Sequence, residues 1–323
     1  MSKAVITGGA GFIGSNLTTF LLRKGWSVVV IDDFSIGKKE NLPNDKNLKI
    51  IEVSVFDKMQ MKKVINKADV VFHLAVQCVR KSIKDPWLVH DVNSTGTLSV
   101  LDAAFINKIP KFVYISSSEI YGSAETVPMS ENHPTSPTTI YGASKLAGEL
   151  YCQAYFRTYK YPIVVVRPFN TYGYNEHFEG PYGEVIPRFI VRALNGLSLQ
   201  IFGNGKQTRD FTFVTDVTRG IYSVFEKGTL GQAYNIGHGQ EVSISDLAKI
   251  VLKICQVDVP IQHLDPRPGD VIRHFADTRK AGKDLGFKAG IDITGGVQRY
   301  LDWFKKFMPN PKKALKFYQE KNW

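Results

Sequence analysis

A short apolar run, Ala4-Val5-Ile6, meets Thr7-Gly8-Gly9-Ala10-Gly11-Phe12-Ile13-Gly14 near the start of the chain. No other feature narrows the possible folds as much. Gly9, Gly11 and Gly14 satisfy G-x-G-x-x-G, and Gly8, Gly11 and Gly14 equally satisfy G-x-x-G-x-x-G. Small residues are needed there because the strand must turn sharply, the backbone must approach a pyrophosphate, and the following helix must pack closely on the sheet. The helix N-terminus then offers free N–H groups and the positive end of its dipole to a phosphate. Phe12 and Ile13, inside this turn, are candidate cofactor contacts with Gly8, Gly11 and Gly14.

The rest of the first half supplies the context such a loop requires. Apolar, β-branched runs recur at 4–7, 28–31, 48–53, 70–74, 112–116 and 163–166. They are continuous rather than alternating, as expected of strands covered on both faces. Helical patterns lie between them at 13–24, 58–66, 87–107 and 143–159. This alternation predicts an α/β fold, a Rossmann doubly wound parallel sheet, over residues 1–167. Beyond Pro168 the pattern loosens into Gly-, Pro- and aromatic-rich loops, with helices expected at 187–194, 215–226, 245–255 and 295–306. Residues 168–323 therefore read as a second, smaller α+β domain that shapes a substrate cleft, with some segments crossing back to the first.

The second strand ends Val30-Ile31-Asp32-Asp33, and Asp32 follows Gly14 by 18 residues. That is close to the spacing of about 20 for the acid that accepts the adenosine ribose hydroxyls. A carboxylate there repels a 2′-phosphate, so NAD is expected rather than NADP, with Asp33 beside it. Composition adds one constraint. Lys plus Arg is 41 against 30 for Asp plus Glu, a net charge of +11. This favours anionic partners, and the glycine loop points to phosphorylated small molecules rather than nucleic acid or a membrane surface. No run approaches the roughly 18 apolar residues of a membrane span. The first apolar run stops at Gly8, short of a secretory leader. Three widely spaced cysteines, Cys78, Cys152 and Cys255, fit a reducing cytoplasmic setting, and no zinc or other metal site is expected. The Lys-rich end (Lys312, Lys313, Lys316, Lys321) reads as a solvated terminal segment.

Tyr141-Gly142-Ala143-Ser144-Lys145 sets a phenol and an ammonium four residues apart, which places them on one face of a helix. A nearby ammonium favours phenolate and makes tyrosine a usable base. The fifth strand runs into Ser116-Ser117-Ser118-Glu119, at the carboxyl edge where such sheets bind ligands. Ser117 is the candidate hydroxyl partner of Tyr141 at the reacting oxygen.

With these motifs in place the chain resembles the extended short-chain dehydrogenases/reductases, in the nucleotide-sugar epimerase/dehydratase branch. The resemblance covers nearly the whole sequence. It runs through His73-Leu74-Ala75, Asn93 with Gly96-Thr97, Ser117 with Tyr121-Gly122, and Arg167-Pro168-Phe169-Asn170. It continues through Gly203-Asn204-Gly205, Gln207-Thr208-Arg209-Asp210-Phe211, Asp216, Tyr234-Asn235-Ile236-Gly237 and Arg267-Pro268-Gly269-Asp270. It implies a nucleotide-diphosphate sugar as substrate and Tyr141 as general base and acid. Ser117 would orient the sugar 4-hydroxyl, and Lys145 would tune Tyr141 and hold the nicotinamide ribose. Ala75 would line the cofactor site. Ser118 and Asn170 would hold substrate, Arg209 and Arg267 would clamp the diphosphate, and Asp270 would contact the nucleoside ribose. Relatives often carry an acid for the adenine amino group where this chain has Ser54.

Glu119 keeps the reaction open. Simple 4-epimerases usually have a small or hydroxyl residue there. A carboxylate resembles the 4,6-dehydratases and the UDP-glucuronate decarboxylases. The stretch Tyr141 to Leu146 is epimerase-like, so a 4-epimerase acting on a UDP-hexose or UDP-uronate is the leading expectation, ahead of a Glu119-dependent lyase and a non-catalytic NAD-binding protein. Glu184 is an acid near the expected sugar pocket, read first as a helix cap. Arg80 reads as a solvated loop residue or a phosphate contact, and His73 as an anchor rather than a catalyst. Segments 96–107 and 143–159 are apolar on more than one face, which suggests a homodimer formed through these helices.

Overall fold

The computed structural model describes residues 1–321. Its centre is a seven-stranded sheet in which every pairing is parallel. The strands are β1 (Lys3–Thr7), β2 (Ser27–Asp32), β3 (Leu48–Glu52), β4 (Val70–His73), β5 (Phe112–Ile115) and β6 (Ile163–Pro168), with Ala233–Ile236 on the outer side of β6. From β1 the chain winds outward through β2 to β3, then returns to build β4, β5 and β6 on the other side. The order reverses between β1 and β4, and a ligand crevice is expected above that point.

The continuous apolar runs are explained by two buried faces. Ala4, Ile6, Val28, Val30 and Phe72 point into one core, and Val5, Val29, Ile31, Val71 and Phe112 into another on the opposite face. Helix α1 (Phe12–Arg23) presents Leu17, Leu21 and Leu22 to the first core. Enclosing a leucine contributes roughly 1.5–3 kcal/mol. The helix ends at Lys24, followed by Gly25 at φ +81°.

The helix expected over 87–107 is broken. It forms as Pro86–His90, a wide turn at Asp91–Gly96, and Thr97–Ile106. Thr97 Oγ1 donates to the Asn93 carbonyl at 2.6 Å, while the Asn93 side chain turns away to Gln77 and Ser144. Such widened turns are often found beside functional sites. The helix carrying Tyr141 starts earlier than the pattern suggested, at Ile140–Tyr159, because Thr139 caps it through Gly142 N at 3.1 Å.

A division at residue 167 is not a clean cut. Helix Val214–Lys227 and strand Ala233–Ile236 return to the main sheet, and Val217, Ile221, Tyr234 and Ile236 share the core of α1. The smaller lobe has its own core, built on helices Val185–Leu194, Ile244–Cys255 and Ile293–Phe307. The end of the chain is anchored as well as solvated. Lys312, Lys313 and Lys316 are exposed, but Ala314 is fully buried, and Tyr318 and the carbonyls of Gln319 and Glu320 accept from Arg188. No helix among the described residues is long and apolar enough to cross a membrane.

Candidate active site

A cavity of about 410 Å³ runs from the glycine turn, across the ends of β1, β4 and β5, into the smaller lobe. Every candidate site residue lines it: Gly8, Gly11, Phe12, Ile13 and Gly14 of the turn, Asp32 and Asp33, Ala75, Ser117 to Glu119, Tyr141, Lys145, Asn170, Arg209, Arg267 and Asp270.

At the cofactor end, Gly8 has φ +68°, and a methyl group on it would lie 2.6 Å from Ala75 N. A methyl group on Gly14 would overlap the Gly8 carbonyl. Gly11 starts α1 with no side-chain cap and no acid in the first turn, so the helix N–H groups face the cavity uncompensated. Asp32 ends β2. Its Oδ2 accepts from Ala10 N at 2.9 Å and its Oδ1 from Phe34 N at 3.0 Å, leaving lone pairs on both oxygens. Burial raises its pKa, against these two bonds. Asp33 is exposed and accepts from Ser35 N and Oγ at 3.0 and 2.6 Å. Ser54 does not line the cavity; Val53 and Val55 do, so the wall at the adenine position is apolar. This cradle fits a dinucleotide.

His73 is an anchor. Thr97 donates onward to Asn93, so Nε2 of His73 donates to Thr97 Oγ1 at 2.8 Å and Nδ1 accepts from Thr7 Oγ1 at 2.6 Å. Burial, with Lys145 nearby, lowers its pKa to about 3, so the ring is neutral and ties β1 to β4.

Around Tyr141 the electrostatics differ from the simple expectation. Burial pushes the phenol up, hydrogen bonding with Ser117 works against that, and Glu119 adds to the rise. Lys145 is 2% exposed, donates to the Ile115 carbonyl at 2.6 Å and lies 4.5 Å from the Tyr114 ring centre. Burial lowers its pKa to about 7, opposed by Glu149 and Cys152. Enclosure therefore dominates at the phenol in this structure. Ser117 Oγ accepts from Glu119 N at 3.2 Å, and buried Ser118 sits between them. Asn170 Oδ1 is buried with no partner, a free acceptor in the cavity wall.

In the smaller lobe Asp270, Arg209 and Arg267 form one cluster. Asp270 Oδ1 accepts from Arg209 Nη2 at 2.5 Å and from Arg267 Nη2 at 3.0 Å. The carboxylate thus yokes the two guanidinium groups together. Two expectations are corrected. Glu184 stands at the start of Val185–Leu194 but makes no cap bond, because Arg80 takes its carboxylate. Arg80 is neither solvated nor open to a phosphate; it is 4% exposed and fully engaged with the 181–184 loop.

The cavity also takes in residues that motif reasoning missed, among them His177, Tyr182, Arg188, Gln200 and Phe202. Arg188 is held by Gln319 O at 2.7 Å, Tyr318 Oη at 2.9 Å and Glu320 O at 2.8 Å. The one sequence hint was a charge between apolar helix residues, Pro187-Arg188-Phe189.

The NAD dependent epimerase/dehydratase family matches residues 4–237. The chain belongs to that family, whose cofactor is NAD. It is 34% identical to a UDP-glucose 4-epimerase of Mycolicibacterium smegmatis, over 94% of this chain and 98% of that protein. It is also 34% identical to a UDP-N-acetyl-alpha-D-glucosaminuronate decarboxylase of Bacillus cytotoxicus, again over 94% and 98%. The structure of DesIV, a dTDP-glucose 4,6-dehydratase from Streptomyces venezuelae solved with NAD bound, superposes with a TM-score of 0.90 at 28% identity, covering 95% of this chain and 98% of that one. Three reactions on nucleotide sugars thus share this fold.

Proposed function

We propose that this chain is an NAD-dependent nucleotide-sugar 4-epimerase acting through a transient 4-keto sugar. The observation that carries the reading is the single cavity joining the glycine turn, Tyr141 with Ser117, and the Arg209–Asp270–Arg267 cluster. A nucleotide sugar needs all three. Gly8, Gly11, Gly14 and Asp32 hold the cofactor, and NAD, when bound, accepts and returns the hydride of C4. Arg209 and Arg267 face the substrate diphosphate, a good match for guanidinium forks. Asn170 offers its free acceptor to a sugar hydroxyl. Ser117 orients the 4-hydroxyl, and Tyr141 takes its proton and later gives one back. The cationic cofactor and a protonated Lys145 offset the burial that otherwise keeps the phenol neutral.

Glu119 in the same cavity favours a second reading, a decarboxylase or 4,6-dehydratase working from the same keto sugar. Incubating the protein, without added cofactor, with UDP-glucose, UDP-N-acetylglucosamine, UDP-glucuronate, dTDP-glucose and GDP-mannose separates them by NMR. A C4-inverted sugar supports the epimerase. Released carbon dioxide or a 4-keto-6-deoxy sugar supports the lyase, and no turnover of any of them counts against both. A homodimer in the cytoplasm completes the proposal. Leu98, Ile106, Leu150 and Tyr159 leave apolar surface on helices Thr97–Ile106 and Ile140–Tyr159. A monomer mass by light scattering would remove the dimer.

A further inference from the structure

Arg80 and Glu184 lie 104 residues apart in sequence and meet in the cavity wall. Nη1 of Arg80 donates to Glu184 Oε2 at 3.0 Å and Nη2 to Oε1 at 2.5 Å. Two backbone carbonyls hold the guanidinium independently, Pro181 O from Nε at 2.9 Å and Tyr182 O from Nη2 at 3.0 Å. The pair is asymmetric in exposure: the Arg80 side chain is 5% exposed and that of Glu184 is 40%. A ligand therefore meets the outer edge of a carboxylate, not the cation behind it. A carboxylate has about four acceptor positions, and the two bonds from Arg80 leave others open to the cavity.

The surroundings reinforce that sign. Glu119 lines the same space, and it and Glu184 both oppose ionisation of Tyr141, so both lie within electrostatic reach of its phenol. The other cations of the same cavity are held by other groups: Lys145 by the Ile115 carbonyl, Arg188 by Tyr318 and the carbonyls of Gln319 and Glu320, and Arg209 and Arg267 by Asp270 at the diphosphate end. The wall near Tyr141 is thus rich in acceptors and negative charge. Hydroxyl and amino groups can donate into it. A second carboxylate would face Glu184 and Glu119 in a partly enclosed space, where like charges repel more strongly than in water.

We propose that Glu184, held in place by Arg80, is a specificity residue that accepts a hydrogen bond from a neutral or amino sugar and excludes sugars bearing a carboxylate. Arg80 is its positioning residue. The inference rests on the nucleotide-sugar reading above and narrows it to uncharged or amino hexoses, disfavouring the uronates and with them the decarboxylase.

Calorimetric titration of the NAD-loaded protein with UDP-glucose and UDP-glucuronate isolates the effect, because base and diphosphate are the same in both. The wild type is expected to bind UDP-glucose at least about tenfold more tightly, the factor corresponding to a modest charge repulsion. Glu184→Gln should bring the two affinities within about threefold. An Arg80→Met/Glu184→Gln double variant leaves no buried charge unpaired and no freed guanidinium to attract a uronate, and it should keep the loss of discrimination. The proposal is overturned if the wild type binds both equally or prefers the uronate, if Glu184→Gln leaves the ratio unmoved, or if the double variant regains full discrimination. Far-UV circular dichroism reports that each variant is folded, and quenching of tryptophan fluorescence by NAD that it is loaded. If neither sugar nucleotide binds the folded, NAD-loaded wild type, the nucleotide-sugar reading fails and takes this proposal with it. If both bind with a flat ratio, only the proposal fails.

Discussion

Lys145 spends its ammonium on the Ile115 carbonyl, 2.6 Å away, although the carbon stem places it one helical turn from Tyr141. The bond links the end of β5 to the helix that carries the phenol. It also confines a cation in a space where burial brings its pKa to about 7.

That confinement gives a pH dependence of stability. The folded pKa lies below the unfolded value of about 10.4, so between pH 7 and about 10 the unfolded chain binds more protons, and Lys145 makes stability rise with pH. Its burial cost is present in full below pH 7. Urea denaturation of the cofactor-free protein at pH 7 and pH 9, compared with Lys145→Met, should show a wild-type gain of up to about 2 kcal/mol that the variant lacks. Equal pH dependence in the two proteins would contradict this assignment.

Gly14→Ala should weaken NAD binding at least about tenfold, because its methyl group overlaps the Gly8 carbonyl and overpacking of this kind costs about 1–3 kcal/mol. Gly25→Ala is the control. Its methyl group meets nothing within 4 Å, and its φ of +81° strains only the end of α1, so stability should fall while NAD affinity holds. Fluorescence titration measures both.

Tyr141→Phe removes the proton acceptor and leaves the ring. The rate of sugar interconversion should fall by about 10²–10⁴-fold with little change in binding of the sugar nucleotide. A variant within tenfold of the wild type would exclude Tyr141 as the base.

Glu119→Gln separates the two reaction classes. 4-Epimerisation leaves the C5 proton in place and needs no base for it, so activity should stay within about threefold, whereas a dehydratase should lose about 10²-fold or more. Product NMR on the variant and the wild type reads the difference.

Away from the cavity floor, Arg167 forms a bidentate pair with fully buried Glu149, at 2.9 and 2.7 Å, and also donates to Tyr121 Oη at 2.7 Å. Glu149→Ala strands a buried cation and should cost about 3–5 kcal/mol in urea denaturation. Glu149→Leu with Arg167→Met should cost much less.

The parallel sheet, the glycine turn and the Tyr141–Lys145 spacing were all legible in sequence. Each depends on local chemistry: apolar runs of strand length, positions where a methyl group has no room, and the repeat of a helix. The same is true of Asp32, which terminates β2. Local pattern did not reveal the break at Asp91–Gly96, which answers to Asn93 bonding with Gln77 and Ser144. Nor did it reveal which charges cancel. Asp270 was expected at the nucleoside ribose, but not as the link between Arg209 and Arg267. Glu184 read as a helix cap near the sugar pocket and Arg80 as a loop residue or phosphate contact, until the fold brought them across 104 residues into one wall. The sequence by itself determined the scaffold and the cofactor class, because those follow from short-range sterics and hydrogen bonding. Only the tertiary structure decided the electrostatics of the cavity, because a charge's pKa and partner depend on burial and on groups distant in the chain.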